Sequence, residues 1–341
     1  MAQFKVGVIG CGGRGKAHAE GYQASADVKM VACADPMDEG RAAFMEEFGV
    51  EKGYADYQEM LDKEDLDIVS ICTWTGMHKD MVVAAASSGI AAIHCEKPMA
   101  TNWGDSKELY QACVDNDVVI TFCHQRRFAA NYAKARQLAH DGTIGQLVRV
   151  EGACPNLFDW GTHWYDMFCF YNNEAAAEWV MGQIDVEAEN KVFDALVETS
   201  GLAWIHFKSG VDGLLATGGV SFGDGTRNRL IGTEGMIEVG GGEEPPLRFK
   251  GKGDADWVEP DLQDVVPPGG DSLLATLDLI DALKNGREPE LSGRKALQAT
   301  ELIFATYESS RRRAKIHLPL DVDDSALVTM VEERLIGPRR I

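Results

Sequence analysis

Residues 4–15, FKVGVIGCGGRG, constrain this chain more than any other stretch. A short apolar run of strand type meets Gly10, Gly12, Gly13 and Gly15, and KAHAEGYQAS continues in residues compatible with a helix. Strand, Gly-x-Gly-x-x-Gly and helix, in that order, are what a dinucleotide-binding unit requires. Gly10 serves the tight turn, Gly12 lets the backbone approach a pyrophosphate, and Gly15 allows close packing of helix on strand. The free N–H groups and dipole at the helix start then favour the anion. The next apolar run, VKMVACAD, ends in Asp35, twenty positions beyond Gly15. A carboxylate there holds ribose hydroxyls and repels the extra phosphate of NADP, so NAD is expected ahead of NADP. Arg41 is near enough in sequence to leave the second form open.

The alternation continues through ADYQEMLDK (helix), LDIVSICT (strand), HKDMVVAAASSG (helix closed by Gly89), AAIHCEKP (strand), NWGDSKELYQACVDND (helix) and VVITFCH (strand). Such a series folds as a parallel sheet covered on both faces, with ligands beyond the carboxyl ends of the strands. Three strand ends therefore matter: Thr73 with Trp74, Glu96 with Lys97, and His124 with Gln125. The second half differs. LVRVEGAC, QIDVEAEN, TSGLAWIHFKSG, VDGLLATGGVSF, NRLIGTEGMIEVGG and PLRFKGKG are strand-like runs broken by glycine-bearing turns, and helical stretches follow at 272–285 and 294–313.

Length and charge bound the function. A chain of 341 residues suits about two domains of ~100 to 200 residues each. Lys and Arg number 33 against 54 Asp and Glu, a net charge of -21 that repels nucleic-acid backbones and anionic membranes while permitting a local basic pocket. No stretch approaches the ~18 apolar residues of a membrane span, and the N-terminus lacks the basic start and apolar core of a secretory signal. The eight scattered cysteines, with no Cys-x-x-Cys pair, read as reduced and mostly buried thiols in a cytoplasmic protein.

The stretch 158–168, FDWGTHWYDMF, places Asp159, His163 and Asp166 four and three residues apart, on roughly one side of a helix. The residues alone leave three readings open: a metal site, a proton-transfer site, or the polar trim of a buried helix. Asp159 also suits a helix N-cap.

HCEKPMA, following a strand in a chain that opens with this fingerprint, resembles the Glu-Lys-Pro motif of the glucose-fructose oxidoreductase, inositol dehydrogenase and rhizopine-catabolism (Gfo/Idh/MocA) family. CTWTGMHKDMVVAAASSG is similar to the segment that runs past the nicotinamide ribose in that family, and FCHQRRFAANYAKARQLAHDGTIGQLVRVEG to its crossover into a second domain. RLIGTEGMIEV and ALQATELIFATYESSRRRAKIHLPL resemble its later strand signature and its closing helix and strand. The resemblance implies an α/β chain with a Rossmann domain at 1–123 and, at 124–341, an α+β domain built on a large, mostly antiparallel sheet. It implies cofactor contacts from the glycine loop with Arg14, from Asp35, and from Thr73, Trp74, Glu96, Lys97 and Gln125, while His78 either touches the cofactor or packs. Asp159 and His163 match the family's Asp-x-x-x-His. His163 is then the acid or base for the substrate oxygen, Lys97 polarises that oxygen and Asp159 supports the pair. Arg126 and Trp160 hold substrate, and no metal is expected.

The implied activity is NAD(P)-dependent hydride transfer at a hydroxyl or keto carbon of a sugar, cyclitol or derivative, by a homodimer or homotetramer joined through the second sheet. Two other uses of the same motifs are a redox-neutral glycosidase or lyase that oxidises its substrate transiently, and an NAD-binding sensor without turnover. Lys97 and His163 together count against the sensor. The chain also departs from the family. Only Pro155–Phe158 separate LVRVEGAC from Asp159, where many relatives carry a longer loop, and Trp74 replaces a small residue or proline. The tail 322–341 extends beyond the last matching strand and is expected against a partner subunit.

Overall fold

The first apolar run becomes a central strand: β1 (Phe4–Ile9) buries Val6, Val8 and Ile9 on both faces, as a doubly covered sheet requires. The computed structural model describes residues 3–220, 226–240 and 245–337; Ser221, Phe222, Gly241 and the last four residues of the tail, all within segments read above, lie outside them. After β1 come α1 (Gly13–Gln23), β2 (Val28–Ala34), α2 (Asp38–Phe48), β3 (Lys52–Tyr54), α3 (Tyr57–Lys63), β4 (Ile68–Ile71), α4 (His78–Ala86), β5 (Ala92–Cys95), α5 (Trp103–Asp115) and β6 (Val119–Phe122). The strands lie in the order β3-β2-β1-β4-β5-β6, all parallel. Sheet growth reverses between β1 and β4, so the crevice at their carboxyl ends is the switch point where such sheets bind ligands. Both α2 and β3 add to the elements read from the sequence. α2 carries Asp38, Glu39, Arg41, Glu46 and Glu47 and buries only Phe44 and Phe48, and three residues of β3 are too few to show a period.

The second half begins with α6 (Ala130–His140), β7 (Leu147–Cys154), α7 (Gly161–Tyr171) and β8 (Ala177–Asp185). The short β9 (Lys191–Val192) and β10 (Ala195–Leu196) pair with each other before β11 (Ser200–Phe207), β12 (Asp212–Gly218), β13 (Thr226–Gly232), β14 (Met236–Gly240) and β15 (Leu247–Lys250). Then follow α8 (Asp271–Asn285), α9 (Gly293–Arg312), β16 (Ile316–His317) and α10 (Ala326–Glu332). An eight-stranded sheet runs β15-β14-β13-β7-β12-β11-β8-β16, antiparallel except for the β7/β12 pair. The strand expected at QIDVEAEN starts earlier, at Ala177, and Glu187 and Glu189 lie past its end. β11 buries Gly201, Ala203, Ile205 and Phe207 and exposes Leu202 and Trp204, so one face of this sheet is covered and the other open. On the covered face lies α7, buried along its whole length. Gly152 and Gly213 leave room for it, since a Cβ on either would come within 3.1 Å of the Phe168 ring.

The chain divides into two compact units: Met1–Phe128 with Gly269–Leu297, and Ala129–Pro268 with Gln298–Ile341. The single cut expected at 123/124 is corrected in this respect, because α8 returns to the first unit. There Thr276 stands 2.6 Å from where a Gly21 Cβ would be, and Lys284 pairs with Asp27 at 2.6 Å. An amphipathic pattern says that a helix has a core face, not which core it joins. Within the tail, α10 buries Ala326, Leu327 and Met330 against the chain itself. Among the described residues no helix is long and apolar enough to cross a membrane, and all eight cysteines are unpaired thiols.

Candidate active site

In the first unit the glycine loop follows β1. Gly10 has a φ of +91° and a Cβ there would lie 2.5 Å from the Cys72 carbonyl oxygen, while one on Gly15 would lie 2.0 Å from the Gly10 carbonyl oxygen. Side chains at either position would break the strand-turn-helix join. Over Gly12 and Gly13, by contrast, a Cβ meets nothing within 4 Å, and α1 has no acidic residue in its first turn. The loop therefore offers open space and partial positive charge where a pyrophosphate would sit. At the end of β2, Asp35 Oδ2 accepts the Cys11 N–H at 2.8 Å and Oδ1 accepts the Met37 N–H at 2.8 Å, which fixes the carboxylate beside that loop. Arg41 is already engaged, donating to the Asp35 carbonyl at 2.6 Å and pairing with Asp38 at 2.5 Å. A 2′-phosphate would have to pull it from both partners, so the arrangement fits the free ribose hydroxyl of NAD.

The β4 and β5 ends carry the next residues. Thr73 is half-buried and Trp74 is 60% exposed. His78, expected either to touch the cofactor or to pack, is fully buried. Its Nδ1 lies 2.9 Å from the Pro98 carbonyl oxygen and its Nε2 3.1 Å from that of Thr73, so it braces the two strand-end loops. Burial holds it below its ordinary pKa against the pull of those carbonyls. Lys97 is half-buried at the end of β5, between Glu96 and the braced Pro98. Glu96 is only 5% exposed, and its Oε1 receives Arg14 Nε at 2.6 Å and His18 Nε2 at 3.0 Å. Burial pushes this carboxyl up, but His18 and Arg14 outweigh it and hold it well below the carboxylate range. Both bonds fall on this one oxygen. After β6, Gln125 keeps a buried Oε1 with no hydrogen-bond partner among the described residues, an acceptor suited to an amide donor such as a carboxamide. Arg127 is structural, paired with Glu290 at 2.9 Å, whereas its neighbour Arg126 is half-buried.

In the second unit the connection from β7 to α7 is tightly pinned. Asn156 Oδ1 accepts the N–H of Asp159 at 2.7 Å and of Trp160 at 3.4 Å, and the Asn156 carbonyl accepts the Gly161 N–H at 2.8 Å. The Leu157 N–H donates to Glu198 at 2.5 Å; Tyr307 and Thr217 hydroxyls donate to the same buried carboxyl at 2.8 and 3.1 Å. Burial raises Glu198 above its ordinary pKa although these donors oppose the shift. The N-cap of α7 is Trp160, so Asp159 does not fill that role. Asp159, His163 and Asp166 are all buried. The rotation of α7 is set by its aromatic residues, with Trp164 Nε1 donating to the Ala153 carbonyl at 2.8 Å and the Tyr165 hydroxyl 2.8 Å from Thr306 Oγ1. Trp160, half-buried, has the Arg227 guanidinium 5.6 Å from its ring centre. Sequence reasoning missed His18, Asn156 and Glu198. The only local signal was the asparagine itself, a residue type whose side chain accepts backbone N–H groups ahead of a helix start.

Residues 4–124 match the family described as an oxidoreductase family with an NAD-binding Rossmann fold, and 149–318 match its C-terminal alpha/beta domain. The chain is 26% identical to a myo-inositol 2-dehydrogenase of Thermotoga maritima, over 92% of this chain and 98% of the relative. It is also 26% identical to a scyllo-inositol 2-dehydrogenase (NAD(+)) of Bacillus subtilis, over 93% and 96%. The crystal structure of the WlbA dehydrogenase from Chromobacterium violaceum, in complex with NADH and UDP-GlcNAcA, is similar in fold: TM-score 0.81 at 21% identity, covering 94% of this chain and 98% of that one. An NAD-shaped cradle on a Rossmann sheet, a mostly antiparallel second sheet and both domain matches make this chain a member of the Gfo/Idh/MocA family of NAD-binding oxidoreductases.

Proposed function

We propose that this enzyme oxidises a ring hydroxyl of a cyclitol or sugar, or reduces the corresponding ketone, with NAD as hydride partner. The observation that carries the reading is Lys97, presented at the end of β5 on the same sheet as the glycine cradle and braced from behind by His78. The names of the two inositol dehydrogenases, matched over nearly their whole lengths, support the substrate class. When bound, NAD accepts the hydride from the carbon. The protein's own residues then manage the proton: Lys97 polarises the oxygen that becomes a carbonyl, His163 receives its proton, and Asp159 supports the charged imidazole. Arg126 and Trp160 hold the remaining hydroxyl groups.

Incubating the protein with NAD and a panel of cyclitols, aldoses, sugar acids and aryl glycosides is expected to give NADH absorbance with at least one ring polyol. Silence across the panel, or aglycone release from aryl glycosides without NADH, would overturn the reading.

The open face of the second sheet supports self-association. Leu202 and Trp204 are 52% and 42% exposed beside Met181, and Trp179 stacks on His206 with ring centres 5.2 Å apart under the Lys315 ammonium. An apolar, aromatic patch on a regular sheet is suited to burial against its own copy. A Leu202→Glu/Trp204→Glu double substitution should convert a dimeric or tetrameric mass into a monomeric one by light scattering. A wild-type protein already monomeric at micromolar concentration would refute this arrangement.

A further inference from the structure

Behind the strand ends of the first unit lies a buried polar cluster that the proposed chemistry does not use. His18 comes from α1 and is fully buried; its Nδ1 lies 2.7 Å from Ser70 Oγ on β4 and its Nε2 3.0 Å from Glu96 Oε1. Its ring stacks on that of His94 from β5, with centres 4.3 Å apart and planes at 29°. His94 Nδ1 lies 2.7 Å from Thr121 Oγ1 on β6. Arg14 spans from the glycine loop to the same place, donating to Glu96 and, from Nη2, to Cys123 Sγ at 3.4 Å. His18, His94 and Cys123 are the one set among the described residues with three potential metal-ligand atoms within 4.8 Å. A metal does not suit them. Ring lone pairs lie in the ring planes, so those of two stacked imidazoles run side by side instead of converging, and the Arg14 cation already faces the sulfur.

The charges suit a clamp instead. Burial pulls His18 down, yet Cys72, Cys123 and Glu96 around it raise it well above the ordinary histidine value. Burial and the neighbouring His18 push His94 well below that value. The His18 ring and the Arg14 guanidinium therefore share one carboxylate oxygen, with His94 stacked behind His18. Glu96 is in turn fixed in the sheet by its N–H on the Ile71 carbonyl at 2.9 Å, and the next residue is Lys97.

We propose that His18 is a positioning residue: through Nε2 on Glu96, jointly with Arg14, it ties the pyrophosphate loop to the strand end that carries Lys97. Dinucleotide binding and the placement of Lys97 then depend on one buried carboxylate. The proposal rests on the glycine loop being the NAD cradle, and its test needs no knowledge of the substrate. In the full-length protein, NADH affinity is measured by fluorescence titration for His18→Asn and His18→Gln, with thermal melting as the folding control. An asparagine amide stands near the Nδ1 position and keeps only the Ser70 side, whereas a glutamine amide reaches the Nε2 position and can still donate to Glu96. His18→Asn is expected to weaken NADH binding about tenfold and His18→Gln to stay within about threefold of wild type, the difference being that of one hydrogen bond to a buried charge. Equal binding by both variants and wild type, or equal impairment of both, overturns the proposal. Should His18→Asn not fold, Ser70→Ala removes the contact that orients the ring, along with the longer contacts of the same hydroxyl to Cys72 Sγ and the His94 carbonyl; unchanged affinity there overturns the proposal as well. Absence of NADH binding by the wild-type protein would remove the cradle reading itself, and the proposal with it.

Discussion

Lys97→Ala is expected to lower turnover about 10³-fold while leaving NADH affinity within about threefold of wild type. The expectation follows from where the side chain begins. Lys97 sits between Glu96, whose carboxylate is anchored by Arg14 and His18, and Pro98, whose carbonyl meets His78. Those anchors act on residues either side of Lys97, so removing its side chain leaves the strand end in place and the glycine loop untouched. On the proposed mechanism, what disappears is the cation that stabilises negative charge on the substrate oxygen, an interaction strongest in the transition state; such a loss appears in kcat more than in binding. Lys97→Met, which keeps the stem and deletes the charge, should be as inactive as the alanine variant. Turnover retained by either variant, measured with the polyol that supports NADH formation, would exclude Lys97 from catalysis.

The parts of this protein that could be read from its sequence are those set by short-range stereochemistry. Gly10 is dictated by its own positive φ and Gly15 by the Gly10 carbonyl five residues earlier, and their spacing alone announced the loop. The same holds for β7, where eight residues from Leu147 to Cys154 end as the apolar run ends. What stayed hidden was each contact between residues distant in sequence. Glu96 looks like a ligand-facing acid in the string HCEKP, but its direction is decided by Arg14 and His18, about 80 residues earlier by position, and nothing local encodes that. Glu198 reads as one more acid before a strand, yet it is the buried acceptor for Leu157, 41 residues before it. His78 lies in a family-like segment that pointed toward the cofactor, and only the carbonyls of Thr73, Pro98 and Met99 around it show that it serves as a brace.

The pinned turn before α7 gives the second large effect. His163→Asn should reduce both kcat and kcat/KM by about 10²- to 10⁴-fold, the range for losing a general acid or base. Asp159→Asn should cost less, about 10- to 100-fold, because a supporting carboxylate acts only through the imidazole it serves. The decisive comparison is the double variant. If Asp159 works through His163, the Asp159→Asn/His163→Asn protein should be no slower than His163→Asn alone, since effects of residues acting as a unit are not additive. The fold permits a clean experiment: the backbone at Asp159 is held by Asn156, the preceding turn by Glu198, and the rotation of α7 by Trp164 and Tyr165. None of these anchors involves the side chains being changed, and thermal melting of each variant serves as the folding control. Multiplicative losses in the double variant would show Asp159 acting on the substrate directly, and an undiminished His163→Asn enzyme would move the proton-transfer role to another residue.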